Sequence, residues 1–185
     1  MRLLAILFII IPTLSFSQVI DCVKTSNTPF HELSQRYPFN QAVRVLAISY
    51  ITDTSSSGIL LRKIDYSLPT KNDTICYSKL HEIKALRLVQ INVLTDILYN
   101  YEKKIANNID EVTMCFRPRN ALIFINEKNE SFAYLEICFE CSRTRSSHIN
   151  MGLDDNLCFK QYELLKTLFT NVGISYGVNT TIADN

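Results

Sequence analysis

Cysteine is the residue type with the most chemistry to offer in this chain, which has 185 residues and six cysteines. Cys138 and Cys141 form a C-x-x-C, a spacing that supports thiol redox chemistry when it opens a helix. Here it ends a predicted strand. Together with His148 and Cys158, the pair also makes an acceptable ligand set for zinc. These four residues are the candidates for a metal or redox site, and zinc is the alternative to having no cofactor.

The same cysteines are typical of disulfides if the chain is exported, because compartments outside the cytoplasm are oxidising. The geometry of a strand argues against one disulfide pairing, that of Cys138 with Cys141. Three residues along a strand advance ~10 Å, whereas a disulfide tolerates a Cα separation of about 7 Å. We therefore predict that Cys138 and Cys141 are not bonded to each other, and that Cys141 meets Cys158 or Cys115. This argument fails if the strand stops at Cys138.

Charged residues near the ends of two predicted strands form a second candidate site, and they are Arg117, Arg119, Glu136 and Glu140. If the strands pair as expected, Glu136 lies opposite Ala121 and near Arg119. The simpler interpretation is a cross-strand ion pair worth at most about 1 kcal/mol. The functional interpretation is a ligand-binding patch, because arginines on a rigid sheet suit carboxylate or phosphate groups.

Two short strings resemble catalytic motifs but lack the necessary context. Residues 173–177 read GISYG, yet no histidine follows them and they come after a helix rather than a strand. His81-Glu82 begins like H-E-x-x-H, but Ala85 stands where the second histidine ligand belongs. Neither string is predicted to form an active site.

The pattern of apolar residues predicts an α+β fold with an antiparallel sheet, in which a hairpin and a three-stranded meander are covered by a long helix and a C-terminal helix. The hairpin would pair residues 42–51 with residues 59–66 through a turn at 52–58. The long helix would cover 78–101, because apolar residues recur there at steps of three and four. The meander strands would be 111–117, 121–126 and 131–139, followed by a polar loop at 141–156. The C-terminal helix would cover 157–172, capped by Asn156 and ended by Gly173.

The first 17 residues predict a signal peptide. Arg2 precedes an apolar run at 3–11, and Ser15 and Ser17 supply small residues before a cut at Gln18. The run is about half the ~20 residues that span a bilayer, so no membrane span is expected after its removal. We predict a secreted or periplasmic chain with one α+β domain at 18–178 and a mobile tail at 179–185.

The charge of the mature chain bears on its partners. Without Arg2 it carries 18 basic and 18 acidic residues. A neutral surface lacks the basic face that a nucleic-acid partner requires. The expected partner is therefore an unknown ligand or an envelope protein.

The block PRNALIFINEKNESFAYLEICFEC, together with the helices around it over residues 78–177, resembles a stretch found in small uncharacterised exported bacterial proteins. The resemblance implies export and supplies no activity. The residues as a whole favour an exported, disulfide-stapled, non-enzymatic binding or structural module. The alternative is a thiol-redox or metal-binding protein that uses the region of Cys138 and Cys141.

Overall fold

A computed structural model describes residues 22–51, 67–71, 74–103, 115–153 and 157–179. Helices and antiparallel strands are both present, which confirms the α+β class. The helices are α1 (Phe30–Leu33), α2 (Leu88–Tyr99) and α3 (Phe159–Asn171). The strands are β1 (Cys22–Lys24), β2 (Arg44–Tyr50), β3 (Thr70–Lys71), β4 (Thr74–Ile75), β5 (Leu80–Ala85), β6 (Tyr101–Lys103), β7 (Asn120–Ile125), β8 (Ser131–Cys138) and β9 (Arg143–Ser146).

The central sheet has five antiparallel strands in the order β5-β2-β7-β8-β9. β7 lies in the middle and all six of its residues are buried. Antiparallel strands often alternate apolar and polar residues because one face meets water. The run Ala121 to Ile125 does not alternate because both faces of this sheet are covered.

One face of the sheet packs against α2 and α3. Leu122, Phe124, Leu135, Ile137 and Phe139 lie in a single cluster with Leu94, Leu165 and Phe169. These residues form the core between the sheet and the two helices. The opposite face carries a second cluster in which Ile48, Tyr50, Ala121 and Ile123 meet Leu68 and Ile75.

The predicted long helix over 78–101 is wrong in its first half. Leu80–Ala85 forms β5 and pairs antiparallel with β2, and the helix begins only at Leu88. The spacing of Leu80, Ile83 and Leu86 fits a helix, but Ile83 is exposed in the strand. Pairing with β2 satisfies the backbone of a strand that would otherwise be an open edge, and this tertiary gain overrides the local helical preference.

The predicted strand pairings also need correction. Both edges of β2 are occupied, by β5 and β7. The predicted hairpin partner at 59–66 and the turn at 52–58 lie outside the described ranges. Residues 115–117 are not in a strand, and 111–114 are not described. The third strand of the meander is β9, within the predicted polar loop. Charged residues are common on such edge strands, because they discourage pairing with another chain.

The C-terminal helix is close to the prediction. It begins at Phe159 after Cys158 and not after Asn156, because the side chain of Gln161 accepts a hydrogen bond from the Cys158 backbone N–H at 2.9 Å. Gln161 also donates to the Ile97 carbonyl at 2.8 Å, which ties α3 to α2. Gly173 follows the helix with φ of +85°, as predicted for a residue that ends a helix in the left-handed region.

The segment after α3 returns to the sheet. Gly177 has φ of +75°, and a Cβ there would lie 2.6 Å from both Arg119 Cβ and Asn120 Oδ1. Only glycine permits this approach to the start of β7. The predicted signal peptide at 1–17 and nearly all of the predicted tail lie outside the described residues, and the single-domain boundary at 18–178 stays a prediction.

Candidate functional site

Three cysteine sulfurs lie together where β8 ends. The chain turns over residues 139–142 directly after Cys138. Cys115 and Cys141 are joined by a disulfide, and Cys138 is a free thiol. The Sγ atoms of these three residues all lie within 4.8 Å of one another. Among the described residues, no other group of three or more potential metal ligands has its ligand atoms within this distance of one another. We call it the sulfur cluster.

The thiol of Cys138 is shielded from water. The residue is 1% exposed, and burial raises the pKa of its thiol. Backbone N–H groups of Arg117 and Cys141 partly offset this rise by donating to the sulfur. The N–H of Cys141 lies 3.3 Å from Cys138 Sγ. The free thiol is therefore held against the disulfide and away from solvent.

The predicted absence of a Cys138–Cys141 bond is confirmed, and Cys115 is one of the two partners expected for Cys141. The reason given was wrong, because the strand stops at Cys138 and a turn follows. All six cysteines are described, and they form two bridges and not three, with Cys76 as the second free thiol.

The predicted metal or redox set is only half assembled. Cys138 and Cys141 lie together, but Cys158 is bonded to Cys22. The Nε2 of His148 lies 3.1 Å from the Phe132 carbonyl oxygen, and its ring packs against Tyr37. Cys115 is the member that the predicted set lacked. A metal or redox role for these residues stays a prediction.

Glu136 lies opposite Ala121, as predicted, but it is buried and its ion-pair partner is Arg145 rather than Arg119. Arg145 Nε donates to its carboxylate at 2.6 Å. The Leu68 N–H donates at 2.6 Å and the Tyr50 hydroxyl at 3.3 Å. The hydrogen bond to Glu136 raises the pKa of Arg145, while burial and then the nearby carboxylate raise that of Tyr50. The Glu136 side chain is 1% exposed, and its carboxylate is satisfied by hydrogen bonds and an ion pair within the protein.

Arg119 pairs with Glu140 at 3.3 Å, and both side chains are largely buried, at 11% and 6% exposed. Arg117 is exposed in the segment that leads to β7. Among the four predicted residues, Arg119 and Glu140 are therefore paired with each other, and Glu136 is paired with Arg145. A ligand-binding role for Arg117, Arg119, Glu136 and Glu140 stays a prediction.

Glu82 forms a hydrogen-bonded cluster that the sequence did not predict, although Glu82 and Ser175 each lie in one of the two motif-like strings. Its carboxylate accepts from the Ser49 hydroxyl at 2.6 Å, the Ser175 hydroxyl at 2.9 Å and the Tyr176 N–H at 3.1 Å. Burial would raise the pKa of Glu82, but these hydrogen bonds outweigh it and lower the pKa. The cluster fastens the C-terminal segment to the edge strand β5.

A groove between α2 and α3 is the second feature that the sequence did not reveal. Its volume is about 360 Å³, and its apolar walls include Val89 and Val93 from α2 and Leu164 and Leu168 from α3. Val89 is 62% exposed, and its neighbour Leu88 is also exposed. Three large apolar side chains of α2, those of Leu88, Val89 and Val93, therefore face solvent. We call this feature the α2–α3 groove.

Comparison of the chain with protein-family models, with curated proteins and with solved structures finds no match. Among the described residues, no helix is long and apolar enough to cross a bilayer. The functional argument therefore depends on the geometry of the chain itself.

Proposed function

We propose that this chain is an exported, disulfide-stapled, non-enzymatic module that binds an apolar segment of a partner polypeptide in the α2–α3 groove. The observation that carries the proposal is the exposure of Leu88, Val89 and Val93 beside a groove of about 360 Å³. That volume falls within the usual range of ligand pockets, about 300–1,000 Å³. Contiguous exposed apolar side chains with a polar rim are typical of a protein-binding surface.

The charges at the groove favour a partner with an acidic residue. Arg87 lies at the groove, and no described residue forms an ion pair with it. Asp96 also lines the groove, but Lys24 lies 2.8 Å from its carboxylate and compensates its charge. A cation is therefore left at the rim without a described counterion. An acidic side chain next to the apolar anchor would complement it.

The covalent staples support the proposal because they fix a wall of the groove. The Cys22–Cys158 bridge attaches β1 to the residue that precedes α3. Gln161 links the same end of α3 to the carbonyl of Ile97 in α2. Walls that are fixed before binding lose less conformational entropy when a partner is seated.

A displayed library of random peptides, selected on the oxidised protein, tests this function. We expect selected peptides to combine apolar residues with Asp or Glu. Val89→Asp should lower the affinity for a selected peptide by about tenfold or more, as expected for an anchor position. Val43→Asp is the matched control, because Val43 is 55% exposed but lies directly before β2, outside the groove lining. Equal binding by both variants, or a selection without a consensus, would overturn the proposed function.

Export is tested separately by intact-mass measurement of the protein recovered outside the cytoplasm. We expect a mass that lacks residues 1–17. A mass that includes residues 1–17 would overturn the prediction of a cleaved signal peptide.

The sulfur cluster favours a second candidate function, thiol or metal chemistry. After reduction of the Cys115–Cys141 bond by dithiothreitol, three thiols lie close enough to serve one zinc ion. The test is a zinc titration of the reduced protein against a chelator of known affinity. We expect uptake by the reduced protein, little uptake by the oxidised protein and a large loss in Cys138→Ser. Equal uptake by all three samples would exclude a zinc site at the cluster.

A further inference from the structure

We infer that the Cys115–Cys141 disulfide exchanges internally with the thiol of Cys138, which transfers the bridge to Cys138–Cys141 and leaves Cys115 as the free thiol. The inference rests on the second candidate function, the chemistry of the sulfur cluster, and is independent of the α2–α3 groove. It follows from the position of one free thiol within 4.8 Å of both sulfurs of a bond.

The reaction is balanced within the chain. Cys138 gives up its proton when the protein opens transiently to solvent at alkaline pH, and its thiolate attacks Cys141 Sγ. A bond forms between the sulfurs of Cys138 and Cys141, while the bond between those of Cys115 and Cys141 breaks. The electron pair leaves on Cys115 Sγ, which then takes up a proton. The total number of disulfides and thiols is unchanged, so no external oxidant or reductant is required.

The backbone permits the product. Residues 139–142 form a turn, and a turn brings residues three apart to within about 7 Å. That distance lies at the limit of what a disulfide spans. The same two cysteines on a continuous strand would be too far apart, so the end of β8 at Cys138 is what makes the exchange possible. The Cys141 N–H, which donates to Cys138 Sγ, stabilises the attacking thiolate beside its target.

Exchange moves the free thiol to a more accessible place. Cys138 is buried, whereas Cys115 is only half-buried. It also releases the segment 115–119 from its covalent attachment to the turn after β8. The product therefore presents a thiol to small disulfides and thiol reagents, such as oxidised glutathione, that do not reach Cys138.

Tryptic mapping distinguishes the two bridges, because Cys115 lies on the peptide 105–119 while Cys138 and Cys141 share the peptide 129–143. Oxidised full-length protein is held at about pH 8.5, near the ordinary pKa of a cysteine thiol. It is then quenched in acid, and its free thiols are labelled with N-ethylmaleimide. We expect labelling of Cys115 to rise about tenfold over an acid-quenched control, with an internal bridge in 129–143.

Two variants identify the attacking thiol. Cys138→Ser should abolish the labelling of Cys115, whereas Cys76→Ser, which removes the other free thiol, should leave it unchanged. The rate should not depend on protein concentration. Should Cys138→Ser fail to fold, Cys138→Ala serves in its place.

The outcomes also separate the exchange from the cluster on which it rests. If 105–119 stays joined to 129–143 and Cys115 stays unlabelled, the cluster stands and the exchange is overturned. If the starting protein contains neither the Cys115–Cys141 bond nor the Cys138–Cys141 bond, both the cluster and the exchange are overturned.

Discussion

The two disulfides of this chain differ in their surroundings more than in their chemistry. Cys22–Cys158 closes a separation of 136 residues, and no third cysteine sulfur of the described chain lies within 4.8 Å of both its atoms. Cys115–Cys141 closes only 26 residues and has the thiol of Cys138 beside it. A bridge without a neighbouring thiol has no internal route to another pairing. A bridge with one has an internal route to a different pairing.

The largest expected effect follows from this difference in loop length. Removing a bridge releases loop-closure entropy in the unfolded chain, and the release grows with the separation. Cys22→Ala/Cys158→Ala should lower the free energy of unfolding by about 5 kcal/mol, and Cys115→Ala/Cys141→Ala by about 3.5 kcal/mol. Urea denaturation of the oxidised proteins measures both values. The short bridge costing more than the long one would contradict the entropic explanation of the difference.

The next largest effect is expected from the packing of β8, the strand that ends at the sulfur cluster. Leu135 is fully buried in β8, three residues before Cys138. Leu135→Ala should cost about 3 kcal/mol, within the range for large-to-small changes in a core. Ile83→Ala is the control, since Ile83 is exposed on the edge strand, and should cost well under 1 kcal/mol. Similar losses at both sites would mean that the core face is assigned wrongly.

The hydrogen bonds that Glu82 accepts from Ser175 and Tyr176 should have a smaller effect on stability. Unlike the contribution of either bridge, this effect should depend on pH. The pKa of Glu82 is lowered in the fold, so its contribution is present above its ordinary value of 4.5 and is lost as the pH falls through the lowered pKa. Glu82→Gln should cost about 1–2 kcal/mol at neutral pH, since it weakens hydrogen bonds to a charged acceptor.

Urea denaturation between neutral and acidic pH measures this dependence. The difference between the wild-type protein and Glu82→Gln should shrink as the pH falls below 4.5. Glu163→Gln, which alters a surface pair with Lys166, serves as the control. A difference that stays constant across this range would show that the carboxylate charge is not what holds Ser175 and Tyr176.

The smallest expected effect comes from an ion pair close to the Cys22–Cys158 bridge. Lys24 and Asp96 pair at 2.8 Å, but both side chains are about one third exposed. Lys24→Ala should cost at most about 0.5 kcal/mol, and added salt should remove most of the difference. A loss several times larger would mean that this pair, and not the Cys22–Cys158 bond alone, positions β1.

The sequence predicted the elements whose patterns are local. The buried runs of β7 and β8, the apolar stripe of α3 and the role of Gly173 all follow from side-chain spacing and backbone preference within a few residues. β5 was mistaken for helix because Leu80, Ile83 and Leu86 recur at helical steps, and no local signal distinguishes helix from strand there. Only the presence of β2 alongside decides between them.

The site was harder to predict because its members are distant in sequence. Glu82 and Ser175 are 93 residues apart, and nothing local indicates that they meet. Cys115 was one of two partners expected for Cys141, since several pairings satisfy the same strand pattern. The α2–α3 groove depends on which face of α2 the sheet leaves uncovered, and the mistaken length of the helix concealed it.

The separation of 136 residues between Cys22 and Cys158 also sets an order of events during biosynthesis. A chain that emerges from its N-terminus presents Cys22 first and its partner last of the six cysteines. Cys76, Cys115, Cys138 and Cys141 all become available in between. The first thiol to emerge must therefore remain unpaired, or be released from a wrong partner by a disulfide isomerase, until most of the chain has been delivered.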